Sequence, residues 1–258
     1  MTPLMPEFRA KIARREPLWG AALVEPSNLA AQLTVNLGFD FLWIDTEHTP
    51  FGVEAVPMIP VLSRARGCAP IVRVATLDPG LIKKALDIGA VGVMVPQVNN
   101  AEEARLAVRY AKYPPEGSRG VSPGWTAYLN VSWDKYLPIA NQETCVILQI
   151  ETPEGIRNLE AIAAVEGVDV VFAGPMDISA ALGHIGQIQH PAVMEFLKSV
   201  PPMAARQGKC SGISVVGLEA CQRAYDWGYR FVNLGHILRQ GIIGLAADLE
   251  AVRRYGKP

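Results

Sequence analysis

A chain of 258 residues, half of them hydrophobic and 19% charged, can bury one large core, and its formal charge of −1 offers no basic field for nucleic acid. No apolar run approaches the roughly 18 residues of a membrane span, and residues 1–15 carry charges without the apolar core or cleavage site of a leader. Cys68, Cys145, Cys210 and Cys221 show no paired spacing and read as reduced thiols of a cytoplasmic protein.

Residues 18–24 are an apolar run after a charged stretch and read as a first strand. Ser27 is the expected cap of a helix that Gly38 closes. Residues 41–45 read as strand two and run straight into Thr46-Glu47-His48-Thr49-Pro50; a helix bent or restarted at Pro57 and Pro60 follows. Strand three spans 70–74 and carries Arg73 near its end, after which Asp78 caps a helix with Pro79 at its first position. Residues 91–96 give strand four and 101–113 an amphipathic helix.

From 114 to 141 the regularity breaks. An insert of that length inside a domain is usually functional, and Trp125, Tyr128 and Trp133 suggest an aromatic lid. Residues 144–150 and 168–173 are short β-branched runs bounded by turn residues, strands five and six, with a helix opened by Pro153 between them. Helix 191–207, strand 210–215, helix 217–227, strand 230–234 and helix 237–255 complete eight strand-then-helix units. That alternation specifies an α/β fold, a parallel (β/α)8 TIM barrel in one domain over 1–258. The competing open doubly wound sheet lacks a Gly-x-Gly-x-x-Gly after its first strand.

A barrel builds its site from the loops that follow its strands. Strand two delivers Asp45, Glu47 and His48; strand three, Arg73; strand five, Gln149 and Glu151; strand six, Asp177, after a Gly174-Pro175 turn. A right-handed crossover sets the ends of strands five and six side by side. Glu151 and Asp177 should then face each other and suit a hard divalent ion such as Mg²⁺ or Mn²⁺ with open positions for substrate oxygens. Each residue alone has a structural explanation: the two carboxylates as helix caps, Arg73 as a rim ion pair, His48 as a loop residue. The joint occurrence at four strand ends is what those explanations handle poorly. No lysine ends a strand, since Lys83, Lys84, Lys112 and Lys198 fall in helices and Lys209 precedes a strand. That placement argues against imine chemistry, and a metal would then polarise the carbonyl.

Several stretches resemble the HpcH/HpaI family of metal-dependent pyruvate aldolases, which includes the 4-hydroxy-2-oxoheptanedioate and 2-dehydro-3-deoxyglucarate aldolases. They are Gly-Phe-Asp-Phe-Leu-Trp-Ile-Asp-Thr-Glu-His (38–48), Ile-Val-Arg (71–73), Ile-Lys-Lys-Ala-Leu-Asp-Ile-Gly-Ala (82–90) and Tyr-Pro-Pro-Glu-Gly-Ser-Arg-Gly (113–120). Val-Pro-Gln-Val-Asn-Asn-Ala-Glu-Glu-Ala-Arg (95–105), Gln-Ile-Glu-Thr (149–152) and Gly-Val-Asp-Val-Val-Phe-Ala-Gly-Pro-Met-Asp-Ile-Ser (167–179) complete the set. The resemblance implies that Glu151 and Asp177 are the metal ligands, His48 the catalytic base, and Arg73 the group that stabilises enolate charge. It implies that Asp45 and Asp87 raise the basicity of the histidine, Asp87 reaching in from a neighbouring subunit. Gln149 and the segment Gly174, Pro175, Met176 and Asp177 would hold the pyruvate end; Met176 stands where relatives often have alanine.

The implied activity is that of a lyase: reversible cleavage of a 4-hydroxy-2-oxo acid to pyruvate and an aldehyde. It would use Mg²⁺, Mn²⁺ or Co²⁺, no organic cofactor, no nucleic-acid or membrane partner, and a homo-oligomeric assembly, a hexamer by resemblance. Oxaloacetate decarboxylation on the same site and a non-catalytic small-molecule-binding barrel are the alternatives. A phosphate-handling isomerase would rest on Gly212, Gly217 and Gly235, which turn geometry explains better. Between Arg119 and Lys135 there is no Lys, Arg or His, so an aromatic lid over the site would favour an aldehyde without a carboxylate.

Overall fold

Strands whose two faces are both buried must be apolar throughout, and the β-branched runs of the sequence meet that condition. The computed structural model describes residues 4–255, so the first three residues of the stretch read as no leader lie outside it. Strands β1 (Leu18–Leu23), β2 (Phe41–Asp45), β3 (Ala69–Arg73), β4 (Gly92–Val95), β5 (Cys145–Ile150), β6 (Val170–Ala173), β7 (Cys210–Ser214) and β8 (Phe231–His236) close into a ring in chain order. Every neighbouring pair is parallel, β1 with β8 included. The expected TIM barrel is the architecture found.

The two-residue period of a strand sorts its side chains into two layers. On β2, Phe41 and Trp43 point into the barrel with Ile71, Ile147 and Phe172. Leu42 and Ile44 point outward with Val72, Val146, Leu148 and Val171, against the surrounding helices. The interior layers are tight: Phe41 stacks on Phe231 at 3.9 Å, and a Cβ on Gly20 would stand 2.1 Å from the Phe41 ring. One further step of the inward set on β2, β3 and β5 lands on Asp45, Arg73 and Gln149, at the C-terminal rim. The rim's chemistry is thus an extension of the core's register.

Helix α1 (Pro6–Arg14), which sequence periodicity did not reveal, plugs the opposite end of the barrel. Met5, Phe8 and Ile12 join the interior cluster, while Arg9 and Lys11 clamp the helix to Asp169 (2.8 Å) and Asp40 (2.7 Å). Nine residues dominated by charge hide such a short apolar stripe. Around the ring follow α2 (Asn28–Val35), capped by Ser27 as expected, α3 (Ile59–Arg64), α4 (Pro79–Asp87), capped by Asp78, and α5 (Ala101–Ala111).

The insert after α5 forms a 3-10 turn (Gly124–Leu129), α6 (Trp133–Tyr136), a second 3-10 turn (Leu137–Ile139) and α7 (Ala140–Glu143). It is not a lid over its own rim. A segment that joins the end of a helix to the start of the next strand lies at the barrel's base, away from its own rim. Trp125 is buried there, edge-on to Tyr136 at 4.9 Å. The Arg64 guanidinium covers it at 4.0 Å, and a Cβ on Gly89, in the loop below α4, would stand 3.2 Å from it. Tyr128 and Trp133 are exposed.

Helices α8 (Pro153–Ala163), α9 (Pro175–Ala181), α10 (Pro191–Arg206) and α11 (Leu218–Trp227) continue the ring. The last helix, α12 (Ile237–Tyr255), leaves it: Leu238, Ile242, Ile243, Leu245, Leu249 and Val252 are all exposed. Beside its first turn an apolar cavity of about 1010 Å³ opens over Trp19, Leu37, Phe39, Leu218 and Leu234, where an eighth helix would pack.

Candidate active site

Asp45 and Arg73 are paired across β2 and β3 in register, so their side chains meet at the rim. Arg73 donates from Nε to Asp45 Oδ1 (2.9 Å) and from Nη2 to Oδ2 (2.6 Å), a planar two-bond fork. Its Nη1 donates to Gln149 Oε1 (3.3 Å), and its guanidinium lies 4.6 Å from the Trp43 ring. Glu47 Oε2 approaches Nη1 to 2.8 Å, a charge contact whose angle is not that of a hydrogen bond. The arginine is nearly buried and fixed on three sides.

Asp45 also accepts the backbone N–H groups of Glu47 (3.0 Å) and His48 (3.4 Å). Its oxygens are therefore taken by Arg73 and the turn, and the described contacts do not include the His48 ring. That imidazole is open, 63% exposed, with Nε2 at 3.7 Å from Glu47 Oε2.

Glu151 is buried just past β5, and neither it nor Asp177 is a helix cap. Thr152 caps α8, and Gly174 holds the cap position of α9, with Asp177 inside the first turn. Glu151 accepts from Gln149 Nε2 (2.8 Å) and from the backbone N–H of Gln97 (3.0 Å). Burial, then the charges of Asp177 and Glu47, push its carboxyl up to about 7. Glu47 is raised as well, again chiefly by burial. The mutual repulsion of such a group of carboxylates would be relieved by an added cation.

Gly174 shows where that cation would fit. A Cβ there would lie 2.9 Å from Glu151 Oε2 and 3.2 Å from Asp177 Oδ2, so the missing side chain leaves the space between the two carboxylates free. Among the described residues no cluster of three or more His, Cys, Asp or Glu side chains forms a closed metal cage. Two carboxylates and an open remainder match a hard ion that keeps positions for substrate.

Two residues here escaped sequence reasoning in whole or part. Glu47 stood at a strand end without a role; its contacts place it between Arg73 and His48. Gln97 has left-handed backbone (φ 53°), unusual for a residue with a side chain, and that turn aims its N–H at Glu151. Nothing in periodicity marks it. Asp87, by contrast, is at the far end of α4 and binds Arg119 Nη2 at 2.7 Å, so the structure does not bring it to its own rim. Pro175 and Met176 lie on the wall of the site cavity, which holds about 790 Å³ and is also lined by His48, Arg73, Gln149 and Asp177.

A closed parallel barrel with its polar groups on the C-terminal rim defines an enzyme of the (β/α)8 class. The chain belongs to the HpcH/HpaI aldolase/citrate lyase family, whose model matches residues 24–242. It is 39% identical over 232 residues to the 5-keto-4-deoxy-D-glucarate aldolase of Escherichia coli (strain K12), covering 89% of this chain and 90% of that one. To the hydroxypyruvate/pyruvate aldolase of Chromohalobacter salexigens it is 39% identical over 232 residues, 88% of either chain. The crystal structure of an HpcH/HpaI aldolase/citrate lyase family protein from Burkholderia cenocepacia superposes with a TM-score of 0.89 at 33% identity, covering 96% of this chain and 99% of the other. The protein is an aldolase, a carbon–carbon lyase acting on small molecules.

Proposed function

We propose that the rim cleaves a 4-hydroxy-2-oxo acid reversibly between C3 and C4, giving pyruvate and an aldehyde, with a divalent ion held by Glu151 and Asp177. The observation that carries this reading is the gap at Gly174, lined by both carboxylates and set beside the fixed Arg73. When bound, Mg²⁺, Mn²⁺ or Co²⁺ would polarise the 2-oxo carbonyl as a Lewis acid.

The chain's own residues supply the rest. His48 takes the proton of the 4-hydroxyl, the C3–C4 electron pair moves into the pyruvate enolate, and the aldehyde leaves. Arg73 stabilises the negative charge that develops on the enolate oxygen. Such preorganised charge stabilisation is usually the largest single contribution, and the proton transfer adds about 10²–10⁴-fold. Asp45 and Gln149 hold the guanidinium in place, and Gln149 with the segment 174–177 seats the pyruvate end. C3 of the enolate then takes up one proton and His48 gives up the one it took from the 4-hydroxyl, which returns the site to its starting state.

Chelator-treated protein should lose aldol activity and regain it with Mg²⁺, Mn²⁺ or Co²⁺. Borohydride trapping of a pyruvate–protein adduct would overturn the reading.

The proposed assembly is a homo-oligomer, with a hexamer as the specific form. Asp87 can serve a rim only if that rim belongs to another copy. The exposed apolar face of α12 and the vacant apolar cavity beside its first turn are complementary, so two copies exchanging this helix would each fill the other's ring. No described helix is long and apolar enough to cross a membrane. A cytoplasmic location is proposed from the four free cysteines.

A further inference from the structure

Strand β2 ends on Asp45 and is followed by Glu47, and the two carboxylates have different neighbours. Both oxygens of Asp45 are engaged: Oδ2 by Arg73 Nη2, Oδ1 by Arg73 Nε and the backbone N–H groups of Glu47 and His48. Asp45 thus holds the arginine and the turn. Thr49 Oγ1 ties the far side of that turn to the Asp45 carbonyl at 2.9 Å, so the positions of Glu47 and His48 relative to each other are set by the backbone.

Glu47 is the reverse case. Its side chain is only 9% exposed, and its Oε2 is buried without a hydrogen bond, 2.8 Å from Arg73 Nη1 and 3.7 Å from His48 Nε2. Among the described residues no other carboxylate comes within ion-pair distance of that ring. A buried acceptor with a free lone pair calls for a donor, and a protonated imidazole supplies one. Burial raises the Glu47 carboxyl, Arg73 and then His48 draw it back toward the charged form, and Asp45 and Asp177 oppose them.

We propose that Glu47, and not Asp45, is the carboxylate that positions His48: it holds Nε2, leaves Nδ1 for the 4-hydroxyl of the substrate, and stabilises the imidazolium formed when that proton is taken. The inference rests on the aldolase reading, in which His48 is the base, and departs from the role that the resemblance implies for Asp45. A buried carboxylate beside a catalytic imidazole fixes its ring and offsets the charge it gains. Glu47 is therefore a positioning residue, acting through His48.

The test pairs kinetics with a readout that needs no turnover. Glu47→Gln keeps the shape and removes the charge. It should lower kcat for pyruvate addition to glycolaldehyde by about tenfold with KM near that of the wild type, and Glu47→Asp should recover part of the loss. In a His48→Ala background the same change should cost little more, because the two residues act as one unit. Long-range ¹H–¹⁵N NMR of the Mg²⁺-loaded protein, with the His48 ring assigned by His48→Ala, reads the pair directly. In Glu47→Gln that ring should take its proton at lower pH, by about half a unit or more. A ring titration unmoved by Glu47→Gln, or a loss of kcat as large without His48 as with it, overturns the proposal. A moved titration in a protein that adds pyruvate to no aldehyde would sink the aldolase reading and leave the Glu47–His48 pair standing.

Discussion

The two ends of the barrel carry the same kinds of residue in opposite arrangements. At the base, Arg64 pairs with Glu143 and covers Trp125, and Arg119 pairs with Asp87 over the Tyr113 ring. Each of these two cations meets one anion and lies over an aromatic ring. At the rim, one arginine faces Asp45 and Glu47, while among the described residues Glu151 and Asp177 have no cation of their own. The Arg64–Glu143 pair at the base is closed off from solvent; the rim leaves an excess of negative charge beside an open cavity. Arginines stacked on aromatics do not mark the active end of this protein. An unneutralised group of carboxylates does.

Substitutions at the rim should therefore cost rate, and substitutions at the base should cost stability. His48→Ala should lower kcat by about 10²–10⁴-fold and keep the wild-type Tm, because its ring is mostly exposed. Steady-state kinetics with calorimetry checks both halves. Arg73→Ala is a different case, since it leaves buried Asp45 without its fork partner and should lose stability together with activity. Arg73→Lys keeps the charge but breaks the fork, and should lower kcat at a smaller cost in Tm.

The counterpart at the base is Arg64→Ala. Both side chains of the Arg64–Glu143 pair are buried, so removing one partner strands the other's charge. The expected loss is about 3–5 kcal/mol in denaturant unfolding, with kcat/KM of the folded protein near that of the wild type. A large loss of kcat without loss of stability would mean that Arg64 takes part in chemistry.

The carboxylate excess also gives a pH signature, of smaller size. Glu151 titrates at about 7 in the folded chain, against about 4.3 when unfolded. Between those values the folded state holds a proton that the unfolded state has released, so the contribution of Glu151 to stability falls as pH rises. It is fully present below about pH 4 and gone above about pH 7. Glu47 and Asp87, both raised, push the same way. Metal-free protein should lose Tm from pH 5 to 8, and Glu151→Gln should flatten that slope. Added Mg²⁺ should raise Tm more at pH 8 than at pH 5, because the ion competes with the proton.

Much of this was legible before any coordinates. Strand runs such as 41–44 and 145–148 are apolar on both faces, and the polar residues that follow them fall on one rim because a parallel barrel puts every strand end there. Asp45 meets Arg73 for that reason alone. Other features needed three dimensions. The insert's length was plain, but the face it occupies follows from its place between a helix and a strand, which the lid reading overlooked. Gln97 contributes a backbone N–H that any residue type could offer, so its identity says nothing. The departure of α12 from the ring is invisible because an amphipathic helix has the same pattern whichever surface it covers.

The central claim is that the rim generates the pyruvate enolate with a divalent ion between Glu151 and Asp177, and it can be tested without knowing the aldehyde. Pyruvate in D₂O, followed by proton NMR, reports exchange of its methyl hydrogens through that enolate. The account predicts rapid exchange with Mg²⁺ or Mn²⁺, none above background after chelation, and loss in Glu151→Gln with the fold intact. Sustained exchange in chelated protein, or in Glu151→Gln at the wild-type rate, would contradict it.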